Sequence, residues 1–243
     1  MMCGLAMLFF GCEPTTPPNN ALKKGHEDPV KVVFTFTPGQ LAEDNIEDHI
    51  FGKGFTPDAN AKSQSYVLEM GYDSAGKGTQ KGDSKSDTLK LRPGIWYELK
   101  VTCYNRAEAE ISGQFLGSKV QRDMHQFFYS PHLTKGAREM TPGIMEYRYG
   151  DLNPNGSLFL TPIGFTGYAR INPNTKVNDF YIWTLLAHLK PPKTKINRHT
   201  HKWEVFDNPT IDMMKGSVQD INLWVPMKVD RSNITPSPTT VTQ

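Results

Sequence analysis

The chain has 243 residues and a formal net charge of +2, and it carries no Lys/Arg block, so nothing in its charge points to nucleic acid. Apolar residues make up 37% of it and aromatics 11%, which suffices for a real core in one large domain or two small ones. The GxSxG, HExxH, P-loop and GxGxxG motifs are all missing, and the carboxylates are scattered without an acid/base spacing, so an enzyme is not expected.

The apolar run Leu5-Ala6-Met7-Leu8-Phe9-Phe10 stops at Gly11-Cys12 and gives way to Glu13-Pro14-Thr15-Thr16-Pro17-Pro18-Asn19-Asn20. Such a run is too short to span hydrocarbon, which takes roughly twenty residues. An apolar stretch ending at Gly-Cys before a Pro/Thr/Asn segment resembles a bacterial lipoprotein signal, with Phe9 and Phe10 where such signals usually carry Leu and a small residue. The resemblance implies cleavage before Cys12, acylation of its thiol, and a protein held at a membrane by acyl chains. Residues 1–11 are then a signal peptide and 12–29 a lipidated tether without apolar periodicity. A body over 30–230 and a flexible Thr/Pro-rich tail over 231–243 follow. Cys3 would leave with the signal and Cys12 would be acylated, so Cys103 has no partner for an internal disulfide. It shares parity with Tyr97, Leu99 and Val101, the buried face of a strand, and reads as a small core residue.

From residue 31 the period is almost everywhere two. Strands are expected at Lys31–Thr37, Ser65–Tyr72, Asp87–Leu91, Ile95–Asn105, Glu110–Leu116, Ile144–Tyr149, Leu158–Ile171, Phe180–His188, Thr200–Phe206 and Val218–Val229. Long loops are expected over 38–64 and 73–86. The one helical signal, Gln40 to Ile50, has Ala42, Ile46 and Ile50 four apart and reads as a short helix or a structured loop. The class is mostly β: an antiparallel β-sandwich resembling immunoglobulin or transthyretin-like surface modules, with a split near residue 140 as the two-domain alternative.

Three clusters carry candidate chemistry. In His125-Gln126-Phe127-Phe128-Tyr129, an extended chain puts His125, Phe127 and Tyr129 on one face. His125 reads either as an internally hydrogen-bonded residue of a central strand or as a metal or haem-iron ligand backed by aromatics. His199-Thr200-His201 places two imidazoles on one side of a strand, a chelating pair that needs a third ligand from His188, Glu204 or Asp207. Flanking Arg198 and Lys202 oppose a cation there, and the pair reads first as a polar hairpin end. Tyr147 and Tyr149 share a face and, with Phe127 and Tyr129, would make a stacking or partner-contact wall. Asp151-Leu152-Asn153-Pro154-Asn155-Gly156 is similar to part of a calcium loop but lacks the downstream Glu, and reads as a turn. The methionines lack the clustering of copper carriers.

The HQFFY stretch, Tyr147–Asp151 leading to Pro162–Gly167, and Leu185–Lys190 with Asp220–Pro226 together resemble small β-rich surface lipoproteins of Gram-negative anaerobes, found beside TonB-dependent outer-membrane receptors. That resemblance implies an accessory ligand-capture role for haem, a divalent transition metal or another scarce nutrient. It implies a lipid-anchored outer-membrane location, on the cell surface, and a TonB-dependent receptor as partner. It assigns no ligand residue. On the residues themselves, His125, His188, His199 and His201 are the metal or haem candidates. An adhesin or surface-assembly subunit working by strand pairing is the alternative.

Overall fold

Alternation in Lys31–Thr37 buries Val32, Phe34 and Phe36 and leaves the residues between them half-exposed. This stretch opens β1 (Lys31–Ile46), the central strand of a computed structural model that describes residues 24–46, 49–72, 78–80, 88–159, 161–190 and 217–232. Cys12, His199, His201 and the strand expected at 200–206 lie outside the described residues. The remaining strands are β2 (Phe51–Pro57), β3 (Gln64–Tyr72), β4 (Gly78–Gln80), β5 (Leu89–Leu91), β6 (Trp96–Tyr104), β7 (His125–His132), β8 (Met145–Tyr149), β9 (Thr166–Ile171), β10 (Asp179–His188) and β11 (Val218–Val229). Two short helices, α1 (Ser112–Leu116) and α2 (Lys119–Met124), precede β7.

The strands form two sheets, ordered β2-β8-β9-β6-β1-β3-β4 and β5-β11-β10-β7. One core cluster fills the space between them and draws on β1, β6, β7, β8, β9, β10 and β11, so the protein is a mostly-β sandwich. β1 changes partner along its length. Lys31–Phe36 pairs with β3, and from Gly39 the strand pairs with β2 instead. Pro38, which has no N–H to give, sits at that changeover. β2 in turn meets β8 at Phe51↔Tyr149, which closes a ring of pairings through β8, β9, β6 and β1.

The loops expected over 38–64 and 73–86 carry β2 and β4, which ladder pairing to β1 and to β3 holds extended, and three further segments change type. Gln40–Ile46 is neither helix nor loop but the second arm of β1, paired with β2 from Gly39↔Pro57 to Ile46↔Phe51. Its four-residue apolar spacing is no buried stripe, since Ala42 is exposed, and ladder hydrogen bonds outweigh so weak a period. Within Glu110–Leu116 the chain is helical over α1, because Ile111 and Phe115, both buried, are four apart and pack as one helix face. Among the described residues of Leu158–Ile171, only Thr166–Ile171 is strand. The stretch before it is shaped by Asp151, whose carboxylate accepts hydrogen bonds from the backbone N–H groups of Ile163 (3.0 Å), Gly164 (2.6 Å) and Thr166 (2.9 Å). Gly164 has φ +96°, and a Cβ there would press on Phe127 and Tyr149 at 3.0 Å, so the turn requires glycine.

The aromatic wall is internal. Phe127, Tyr129, Tyr147 and Tyr149 are all buried between the sheets. The Tyr129 hydroxyl donates to the Gly164 carbonyl (2.5 Å) and the Tyr149 hydroxyl to the Phe127 carbonyl (2.7 Å). They therefore correct the expectation of an exposed stacking surface: alternation reports which residues share a face, and this face is the core. Cys103 is buried and unpaired, as its parity indicates, and burial pushes its thiol well above the usual range. Asn153–Gly156 makes a turn, with the Gly156 N–H donating to the Asn153 carbonyl (2.8 Å).

Removing the Asp151 carboxylate strands buried N–H donors on the 163–166 segment. Asp151→Ala should therefore cost about 3–5 kcal/mol, read as a lower urea midpoint at unchanged m, with Asp151→Asn costing less because its amide oxygen still accepts.

Candidate metal centre

β7 and β10 run antiparallel with His125 directly opposite His188, at the end of the smaller sheet. Both lie on the inward parity of their strands, His125 with Phe127 and Tyr129, His188 with Leu186, Thr184 and Ile182. β11 lies on the other side of β10, and its alternation would turn Asp220 outward with Asn222. The register shifts there: Leu186 faces Ile221, whereas Ala187 faces Gln219, so Asp220 is the extra residue of a bulge. Asp220 and Ile221 are consequently both buried, and the bulge has swung a carboxylate into the core. The fourth member is His26, from the stretch Lys24–Pro29 that precedes β1. Its ring lies on Phe115 of α1 (centroids 4.2 Å apart) and meets His125 edge-on at 4.8 Å.

One ligand atom from each of His26, His125, His188 and Asp220 lies within 4.8 Å of the others, and all four residues are buried. The His26 and His125 Nε2 atoms are 3.1 Å apart. Asp220 Oδ2 is 3.3 Å from His125 Nε2, 3.5 Å from His26 Nε2 and 3.8 Å from His188 Nδ1. The far nitrogens decide what these atoms can do. His26 Nδ1 is 2.9 Å from the Glu27 carbonyl and His125 Nδ1 is 2.7 Å from the Gln121 carbonyl. A carbonyl only accepts, so both Nδ1 atoms carry hydrogen, and in the neutral ring each Nε2 presents its lone pair to the centre. His188 Nδ1 and Asp220 Oδ2 are buried there without a well-formed hydrogen bond.

With all three rings neutral, four electron-rich atoms face one point. A proton on one nitrogen would relieve one of these contacts; a divalent cation relieves all of them. Tetrahedral zinc with bonds of about 2.0–2.1 Å sets its donors about 3.3 Å apart, so the observed spacing needs a modest contraction, chiefly by His188. Backbone carbonyls holding the far side of ligand imidazoles are the usual second layer of such sites. Lys24 adds another, with Nζ 3.1 Å from Asp220 Oδ1, leaving Oδ2 for the centre. A porphyrin does not fit among atoms this close, so the haem expectation does not extend to His125 and His188.

Charge is tuned for an uncharged imidazole beside a carboxylate. Burial pushes His188 down to about 4, and His125, His26 and Lys24 push the same way against the pull of Asp220. Burial alone would raise the Asp220 carboxyl; its contacts with His125 and His26 and the Lys24 ammonium more than offset that, holding it well below the usual carboxylate range. A surface groove of about 490 Å³, lined among others by Asp58, Lys62, Lys90, Arg92 and Asp230, contains none of these residues and mixes both charge signs.

Two of the four histidines expected as ligands, His125 and His188, are therefore brought together; His199 and His201 are not described. His26 and Asp220 were missed. No protein-family model, curated protein or solved structure matches this chain.

In the metal-free protein the unfolded chain takes up the His188 proton near the ordinary value of 6.5, while the fold refuses it until about 4. Folding stability should therefore decline as pH falls from about 6.5 to 4 and this contribution should level off below, because the unfolded state binds more protons across that window. His188→Gln should flatten that slope in a urea-midpoint series.

Proposed function

We propose that this protein is a lipid-anchored cell-envelope protein that binds a first-row divalent transition metal through His26 Nε2, His125 Nε2, His188 Nδ1 and Asp220 Oδ2. The carrying observation is that both Nδ1 hydrogens are committed to backbone carbonyls, which turns the Nε2 lone pairs of His26 and His125 onto a buried carboxylate oxygen. Three nitrogens and one oxygen suit zinc and its neighbours, whereas calcium and magnesium take oxygen donors. Four protein donors leave no position for a substrate, which favours binding over catalysis.

The anchor belongs to the same reading. The apolar run ending at Gly11-Cys12 supports acylation at Cys12 and an outer-membrane location on the cell surface. A captured ion beside a TonB-dependent receptor is what such an anchor would serve, since tethering raises the effective concentration of a captured ligand near its acceptor.

Calorimetric titration of chelator-stripped protein with Zn²⁺ should show one ion per chain, and Co²⁺ should develop the visible bands of a tetrahedral complex. His188→Ala and Asp220→Ala should each weaken binding by at least about tenfold, since even outer-layer changes at metal sites cost that much. Heat-silent titration of well-folded wild type would remove the metal from the reading. Mass spectrometry of protein from its own host should find a mature chain beginning at diacylglyceryl-Cys12; an unprocessed leader would remove the anchor.

A further inference from the structure

Three of the four donors sit on strands of one sheet, and the fourth does not. His26 is carried by Lys24–Pro29, whose attachments to the body are almost all polar. Gln121 Nε2 donates to the Lys24 carbonyl (3.0 Å), and the Glu27 N–H donates to Gln114 Oε1 (2.7 Å). The amides of Gln114 and Asn105 donate to the Glu27 carboxylate at 3.0 and 2.9 Å. Lys24 bridges Asp28 (2.8 Å) and Asp220 (3.1 Å). Water can replace each of these partners. The stretch has no aliphatic residue beyond Pro29 to bury, and its main ring contact is His26 on Phe115. Gly25 has φ +78°, and the Gln121 side chain occupies the space a Cβ would need, so the chain turns there on a residue that only glycine supplies.

Docking this stretch is what brings His26 Nε2 to 3.1 Å from His125 Nε2 and 3.5 Å from Asp220 Oδ2. Without a cation between them, that approach is held by no more than a proton on one of the facing nitrogens. With a divalent ion it becomes a coordinate bond that holds the stretch down. We infer that Lys24–Pro29 is a strap latched by the metal: ion binding at His125, His188 and Asp220 draws His26 in and closes the site, and loss of the ion releases the strap. This inference rests on the metal reading above and adds its regulation. Lifted, the strap leaves a three-donor site open to solvent, which is the route by which an ion reaches a buried position. By linkage, the strap raises metal affinity by the same factor as the metal raises strap docking.

Hydrogen exchange read by mass spectrometry on the full mature chain tests this, with zinc as the probe. The Glu27 amide, bonded to Gln114, and the Val30 amide, bonded to the Tyr104 carbonyl (2.8 Å), report on the strap. Their peptide should exchange at least about tenfold more slowly with zinc than after chelation, while peptides of β6 and β10 stay unchanged. His26→Ala should still bind zinc through three donors, more weakly, and should show no zinc-dependent protection of that peptide. Equal strap exchange in loaded and stripped protein, with zinc binding intact by calorimetry, overturns the strap and leaves the metal site standing. Protection that rises equally in β6 and β10 also overturns it, since the ion would then hold the whole fold. Failure of wild type to bind zinc at all removes the site and the strap together.

Discussion

A single buried oxygen organises one end of this molecule. Asp220 Oδ2 sits in a side chain with no exposed surface, where an uncompensated carboxylate would cost far more than a marginal fold can carry. Lys24 compensates it at Oδ1, and the rings of His26, His125 and His188 surround Oδ2, where a proton or the proposed ion would supply the rest. The need explains the local architecture. Helices α1 and α2 supply the Phe115 ring under His26 and the Gln121 carbonyl that orients His125. Residues 24–30, which form no strand, lie against the body and bring in Lys24 and His26.

The other three donors owe their placement to the core. β7 carries His125 on the same face as Phe127 and Tyr129, whose rings stack 5.6 Å apart, and Tyr129 packs on Tyr147 at 4.6 Å. Tyr149 ties its hydroxyl to the β7 backbone at Phe127, and the Phe127 N–H donates to the Ile163 carbonyl (2.6 Å). The segment supplying that carbonyl is itself held by Asp151. A chain of packed rings and buried hydrogen bonds therefore runs from the middle of the sandwich to the His125 imidazole, and the opposing register of β10 delivers His188 beside it. Strands position side chains more tightly than loops do, so three of the four groups are set by the sheet and the fourth, His26, by the stretch before β1.

What sequence alone could show divides along a physical line. Strands with a long apolar face on one parity, such as β6, β10 and β11, were legible because burying that face imposes a period of two. By the same parity, His125 falls with Phe127 and Tyr129, and Cys103 with Leu99 and Val101. Gln40–Ile46 and Glu110–Leu116 were misread because each is short and half-exposed, so pairing with β2 in one case and packing of Phe115 in the other settled its state. Asp220 was hidden for a sharper reason: parity assigns it outward with Asn222, and only a register slip against Ala187 turns it in. No period announces a bulge. His26 lies in a run of Lys, Gly, Glu, Asp and Pro that looks like linker, and its role exists only once β7 and β11 are side by side.

The charge of the site bears on which ions it can hold. Lys24 Nζ lies 3.1 Å from Asp220 Oδ1 and 2.8 Å from Asp28 Oδ1, so one ammonium offsets part of the carboxylate charge that would draw any cation here. Long-range attraction is thus weakened, and selection among ions rests more on short-range bonds to imidazole nitrogen. Calcium and magnesium gain little from nitrogen donors and would remain with water, whereas copper, nickel, zinc and cobalt gain enough to leave their hydration shells. Against calcium and magnesium, a lysine beside the carboxylate is a simple way to bias the answer. The ammonium that reduces attraction for every cation thereby leaves donor chemistry to choose among them.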